Sequence, residues 1–176
     1  LTRVEIENDQ LPCACIPSFN LKTTYTSFDK ASKFENDSIR IEIDYAPDYG
    51  RRTQRFFKED QLYRTKLYVG GFLEIDISDT TETYRYYIKG GSGTIGVLNE
   101  RQDNGESILH YWLEDNLGSL HTLTDEEGEI VEVLNFDVWG KRRNPDGSPI
   151  YKPIGIEYDR GFTGHEHIEE LDLINM

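Results

Sequence analysis

The residue types most able to do chemistry stand together near the end of the chain, where Gly164-His165-Glu166-His167 sets two imidazoles beside a carboxylate. A metal-binding helix needs its histidines at i and i+4 so that both face one ion, whereas histidines at i and i+2 share a face only in a strand. No distant His or Cys group stands at ligand spacing, so a hydrogen-bonded turn is the expected role. Ser119, His121 and Asp125 have the residue types of a hydrolytic triad, and Asp115 with Asp125 those of a carboxylate pair. An acidic chain produces such sets by chance, and no nucleophile elbow, P-loop or GxGxxG turn accompanies them. Gly90-Gly91-Ser92-Gly93 lacks the Lys and the following helix that phosphate binding uses. Asp103-Asn104-Gly105-Glu106, Asp125-Glu126-Glu127-Gly128 and Asn144-Pro145-Asp146-Gly147 offer clustered oxygens without the spaced ligands of a calcium loop, so turns explain them better. Cys13 and Cys15 flank Ala14, too close for an unstrained disulfide in extended chain, and no second pair completes a zinc site. No catalytic, cofactor or metal site is expected.

The elements that must hold these residues are strands. Between Tyr111 and Arg143, extended half-apolar runs alternate with Gly-bearing turns. Leu120, Thr122 and Thr124 are expected on one side of a strand, and His121, Leu123 and Asp125 on the other, followed by a turn at Glu126-Glu127-Gly128. From Ile130 to Phe136 both faces carry apolar side chains, so neither should be fully wetted. Upstream, Ser38 to Ala46 alternates Ile39, Ile41 and Ile43 with Arg40, Glu42 and Asp44, and Thr53 to Lys58 is its expected partner, with Phe56 or Phe57 inward. Thr65 to Val69 and Phe72 to Ile77 flank Gly70-Gly71, while Thr83 to Lys89 and Thr94 to Asn99 flank Gly90 to Gly93.

An aromatic strand followed by a turn recurs at Tyr25, Tyr45, Tyr68, Tyr86, Tyr111, Phe136 and Tyr158, at intervals of 18 to 25 residues. One hairpin fits each interval, and hairpins of this size must pair side by side to be stable. Helix signals are confined to Phe57 to Leu62 and His165 to Leu173, so the fold class is all-β, with repeated antiparallel hairpins in a curved or spiral sheet and at most one or two short helices. Residues 1–21 read as an extended lead-in containing a strand-like run from Thr2 to Ile6. Residues 22–110 read as degenerate hairpin repeats, and 111–176 as a motif-bearing continuation of the same β structure.

A chain of 176 residues is about one domain's worth and can bury roughly 70% of its unfolded surface. With 11 Tyr and 8 Phe against one Met, the composition points to two-sided sheets with wet faces. A formal charge of −14 argues against nucleic acid, because no basic field releases counterions from a phosphate backbone. No apolar run is long enough to span a membrane and no signal-peptide pattern opens the chain. The first residue, Leu1, points to a fragment whose address lies elsewhere.

Four linked motifs carry a family resemblance. They are Tyr111-Trp112-Leu113-Glu114-Asp115-Asn116-Leu117-Gly118-Ser119-Leu120, Thr124-Asp125-Glu126-Glu127-Gly128-Glu129-Ile130-Val131, Phe136-Asp137-Val138-Trp139-Gly140-Lys141-Arg142 and Arg160-Gly161-Phe162-Thr163-Gly164-His165-Glu166. In order and spacing they resemble the core region associated with RHS, or YD, repeats, with Asn116 where His is usual and Asp172 where Gly is usual. The motif residues are Tyr111, Asp115, Leu117, Gly118, Ser119, Asp125, Gly128, Phe136, Asp137, Trp139, Gly140, Phe162, Thr163, Gly164 and Glu166. Upstream, Tyr45 to Arg52, Tyr68 to Gly71 and Tyr86 to Gly91 look like degenerate repeats, which extends the resemblance back to about Tyr25.

The resemblance implies a spiral sheet that forms a hollow shell. In bacterial polymorphic toxins and insecticidal toxin complexes the shell encloses a C-terminal toxin domain, and in teneurins it is an adhesion module. The family's self-cleavage site follows an Asp-Pro-x-x-Gly-Arg-Phe motif beyond the region matched here, so no residue of it is carried over. The expected function is therefore a non-catalytic shell segment of a secreted or cell-surface parent, with the rest of the shell and a toxin cargo as partners. The alternative is a carbohydrate- or protein-binding adhesion module using an aromatic sheet face that includes Tyr86 and Trp112. Trp139 is expected to pack onto the sheet, Lys141 to Arg143 to begin an exposed strand, and free sheet edges to self-associate.

Overall fold

The computed structural model describes residues 20–91, 93–144, 146–148, 158–171 and 173–175. The expected strand from Thr2 to Ile6, the two cysteines and Asp172 lie outside them. The described chain is all-β. Its strands are β1 (Lys22–Tyr25), β2 (Ala31–Glu35), β3 (Ile39–Tyr45), β4 (Arg51–Lys58), β5 (Gln61–Val69), β6 (Leu73–Ser78), β7 (Glu82–Lys89), β8 (Thr94–Arg101), β9 (Ser107–Glu114), β10 (Leu120–Thr124) and β11 (Ile130–Val133). These eleven form one open antiparallel meander in sequence order, with β1 and β11 at its edges. Two small pairs follow, β12 (Asn135–Phe136) with β13 (Arg142–Arg143), and β14 (Glu166–Ile168) with β15 (Leu173–Asn175).

One turn geometry recurs seven times among the described residues, at 26–30, 46–50, 115–119, 125–129, 137–141, 144–148 and 161–165. In each, the first residue donates its N–H to the carbonyl of the fifth, and the fourth donates to the carbonyl of the first. The fourth residue has positive φ, at Asp29, Tyr49, Gly118, Gly128, Gly140, Gly147 and Gly164. This is the three-residue hairpin loop that ends in a left-handed residue and a bulge. Where it begins with Asp, at Asp115, Asp125 and Asp137, the carboxylate Oδ1 accepts two further backbone N–H groups from the third and fifth residues at 2.8–3.1 Å. The recurring aromatic-and-turn unit of the sequence is the end of a strand running into such a loop or into a tighter glycine turn.

One face of the sheet is covered by the segment after Tyr158. Ile168 and Leu171 pack with Ile41, Ile43 and Phe56 of β3 and β4. Tyr158 packs with Tyr87, Val97, Trp112, Leu120, Leu123 and Leu134. Each fully buried side chain of this size contributes about 1.5–3 kcal/mol. The Tyr158 hydroxyl accepts from Asn99 Nδ2 and meets His110 Nδ1 at 2.8 Å, which links three polar side chains inside an apolar cluster and leaves Asn99 Oδ1 unpaired.

Several sequence expectations are corrected by this packing. The covered face is not wet, because the C-terminal segment lies over it. Leu120 and Leu123 do not oppose each other: a bulge between Leu120 and Thr122 brings both into one core. Ile130, Val131 and Val133 are exposed because β11 is an edge strand. Phe57 to Leu62 is no helical turn but a two-residue reversal at Glu59 and Asp60, both with positive φ. His165 to Leu173 forms β14, a 3-10 turn at 169–171 and the start of β15. Trp139 is 84% exposed, since it is the third residue of its loop, a position that projects away from the sheet just as Leu117 does. Arg142 is buried, donating to the Tyr158 carbonyl at 2.8 Å, so the basic cluster is not a solvated strand end. Trp112 is 4% exposed and belongs to the core.

Candidate functional site

Alternation along three neighbouring strands aims charged side chains at the covered face. Arg64, Lys66 and Tyr68 of β5, Glu74 and Asp76 of β6, and Arg85 and Tyr87 of β7 are each two residues apart and so share a side. The register sets Lys66 opposite Asp76, Tyr68 opposite Glu74, and Glu74 opposite Arg85, so unlike charges face each other across the strands. The covering segment adds Asp159, Arg160, Glu166 and Glu170. Between the two apolar clusters, then, lies a patch in which sheet and cover meet through charge.

Lys66, 1% exposed, is its centre. Its ammonium bonds Asp159, lies 2.6 Å from Glu166 Oε1 and 3.9 Å from Glu74 Oε2. Glu166 also pairs with Arg51, and the Tyr68 hydroxyl reaches Gln54 Oε1 at 2.6 Å and the Glu166 carboxylate at 2.8 Å, so one proton serves several acceptors. Arg64 binds both oxygens of Asp76 at 2.9 and 2.7 Å and reaches Asp159 at 2.7 Å and Glu170 at 3.5 Å. Arg85 holds Asp76 at 3.0 Å, Tyr87 donates to Glu74 at 3.0 Å, and Arg160 grips Glu74 through two nitrogens. Five cations (Arg51, Arg64, Lys66, Arg85, Arg160) thus meet five carboxylates (Glu74, Asp76, Asp159, Glu166, Glu170). The patch is neutral as a whole.

Protonation follows from that balance. Burial alone would lower the Lys66 pKa, but Asp159 and Glu166 outweigh it and raise it, so the amine stays charged. Burial would raise Asp159, Glu166 and Asp76. Lys66 and Arg64 hold Asp159 well below the usual carboxylate range, Lys66 and Arg51 do the same for Glu166, and Arg64 with Arg85 for Asp76. At the margin, burial and the neighbouring Glu170 push Tyr63 up to about 12. Groups locked in this way join surfaces well and exchange protons poorly near neutrality.

Of the motif residues, only Glu166 belongs to this patch. Ser119 Oγ accepts the Thr163 N–H at 3.1 Å, and the Gly161 carbonyl accepts the Leu120 N–H at 3.1 Å, which ties the loop at 161–165 to the β9–β10 turn. Phe136 packs on Phe162 and His167, and Gly140 sits against Phe162 and Ile174. Leu117, Gly118, Asp137 and Trp139 build turns; Tyr111 lies exposed on the uncovered face of β9. His165 Nδ1 meets Thr163 Oγ1 at 2.6 Å and His167 Nε2 accepts the Phe162 N–H at 3.2 Å, so both imidazoles fix the local turn. No group of potential metal ligands converges among the described residues.

The other constellations come apart. Ser119 is engaged with Thr163, His121 with Thr122, and Asp125 with backbone amides. Asp115 and Asp125 stand at opposite ends of β10. Sequence reasoning missed Lys66, Arg64, Glu74, Asp76, Asp159 and Arg160. Their signal was alternation of charged residues within strands that otherwise look half-wet; what it lacked was the cover. No protein-family model matches the chain, and no curated protein matches it.

Proposed function

We propose that the chain is a wall segment of an RHS-type shell, a structural part without catalysis of its own, whose longer parent encloses a C-terminal toxin cargo. The observation that carries this reading is the sequential hairpin meander, clamped on one face by the segment that bears the last of the four resembling motifs. Repetition of one loop geometry fits a lattice element, and the ionic patch fits a clamp: Lys66 is held charged and Asp76, Asp159 and Glu166 ionised. Export of the parent to the cell surface or beyond belongs to the same proposal.

The test is protease protection in the parent protein. The cargo is expected to resist digestion while the wall is intact and to become sensitive when Lys66→Met loosens it. A cargo cut equally fast in both states counts against a shell. So does hydrolytic activity of this chain that a point change at His165 or Asp125 abolishes. The adhesion reading loses Trp112, which is interior, while Tyr86 is half-buried and Tyr111 and Leu113 of β9 are exposed. Glycan or protein binding abolished by Tyr111→Ala would favour it over the shell.

A further inference from the structure

The alternation that builds the ionic patch continues past it on the same side of the sheet, toward the end that carries the turns at 79–81 and 102–106. Thr83 and Arg85 of β7, Asn99 and Arg101 of β8 and Ile108 of β9 share that side. The register pairs Thr83 with Arg101, Arg85 with Asn99, and Asn99 with Ile108. With Glu106 of the 102–106 turn, these residues line a cavity of about 250 Å³. A purely structural wall has no use for it.

The lining holds hydrogen-bonding groups that lack partners. Asn99 is 5% exposed; its Nδ2 donates to the Tyr158 hydroxyl, while its Oδ1 is buried without a partner among the described residues. A buried acceptor left in that state is costly, and folded proteins complete such groups with a water or a ligand. Among the described residues Arg85 bonds through Nη1 alone, to Asp76 at 3.0 Å, which leaves the rest of its guanidinium free to donate. Thr83 adds a hydroxyl.

Charge selects the occupant. Arg85 is matched by Asp76, and Arg101 grips Asp103 through two nitrogens at 3.2 and 2.9 Å, with Glu106 3.9 Å away. No positive charge is left over to hold an anion, and two guanidinium groups repel a cation. The volume lies below the range of sites that take drug-sized ligands. A fitting molecule is therefore small and neutral, donates to Asn99 and Glu106, and accepts from Arg85. Hydroxyl groups do both at once, and Ile108 offers contact to a C–H face. We propose that this cavity binds a neutral polyhydroxyl ligand the size of one sugar ring. The proposal is independent of the shell reading.

Titration with D-glucose, D-galactose and D-mannose, followed by heteronuclear NMR of the folded chain, tests it. At least one of these sugars is expected to shift the Asn99 side-chain amide and the Arg85 Nε–H resonances, with a dissociation constant in the millimolar range. Thr83→Val, which removes one hydroxyl and keeps the side chain's shape, is expected to raise that constant about fivefold or more, with an unchanged circular dichroism spectrum. Tyr111→Ala, on the opposite face, should leave it unchanged. The proposal is overturned if none of the three sugars shifts the Asn99 amide, or if the folded Thr83→Val chain binds as well as the parent. D-Glucuronate binding more tightly than D-glucose overturns it in favour of a carboxylate site. Binding lost in Tyr111→Ala and kept in Thr83→Val moves the sugar to the uncovered face and overturns the cavity.

Discussion

Lys66 is where the single-residue energetics of this protein concentrate. A buried ammonium is tolerable only because Asp159, Glu166 and Glu74 surround it, and removing it leaves their charge unmatched. Lys66→Met is expected to destabilise the chain by about 3–5 kcal/mol, measured by urea unfolding. The pH profile carries a second expectation. Asp76, Asp159 and Glu166 have folded pKa values below their ordinary ones, so the stability they confer is complete above their unfolded range, about pH 4. It is lost as pH falls through the lower folded values. The urea midpoint should be flat with respect to these groups from near neutrality down to about pH 4 and fall steeply below it. A decline centred near neutrality would point to histidines instead. None of this was legible from residue types, because a Lys in an alternating strand looks identical whether its face is wet or covered.

At the scale of elements, the recurring three-residue hairpin loop is the unit that was most legible. Asp115, Asp125 and Asp137, each three residues before a Gly, announce it, since the carboxylate and the left-handed residue act within a few residues of each other. Two copies of the loop can be told apart by a methyl group. At Gly118 a Cβ meets nothing within 4 Å, so Gly118→Ala should cost only the left-handed penalty, about 1–2 kcal/mol. At Gly140 a Cβ would lie 2.5 Å from Ile174 and 2.7 Å from Phe162, so Gly140→Ala should cost clearly more. Equal thermal shifts for the two would show that the β12–β13 loop does not pack against the C-terminal segment. The helix expected over 165–173 failed for a local reason: Ile168 and Leu171 share a core through a strand and a 3-10 turn, and this mimics helical spacing.

For the whole molecule, stability should be graded from the clamped centre to the edges. Amides of β4 to β8 lie under or beside the covering segment and should exchange slowest, while β1 and β11, each paired on one side, should exchange first. Hydrogen exchange with uniform protection across the sheet would contradict this. The two tryptophans report on the same architecture. Trp112 at 4% exposure and Trp139 at 84% should give two-component acrylamide quenching, and Trp139→Phe should leave only the protected, blue-shifted emission. Among the described residues no helix is long and apolar enough to cross a membrane.

From the sequence alone came the β class, the sequential hairpins and the turn residues, because alternation, glycine placement and Asp-to-amide bonds act over two to five residues. The same locality explains why Ile39, Ile41 and Ile43 read as one face and why one of Phe56 and Phe57 was expected inward, of which the structure buries Phe56. Only the tertiary structure decided which faces stay wet, since that depends on where Tyr158 to Leu173 folds back. It buried Lys66 and Glu166 together and placed Trp112 in the core with Tyr158. Each of these outcomes depends on contacts between residues tens of positions apart, and no local pattern encodes such contacts.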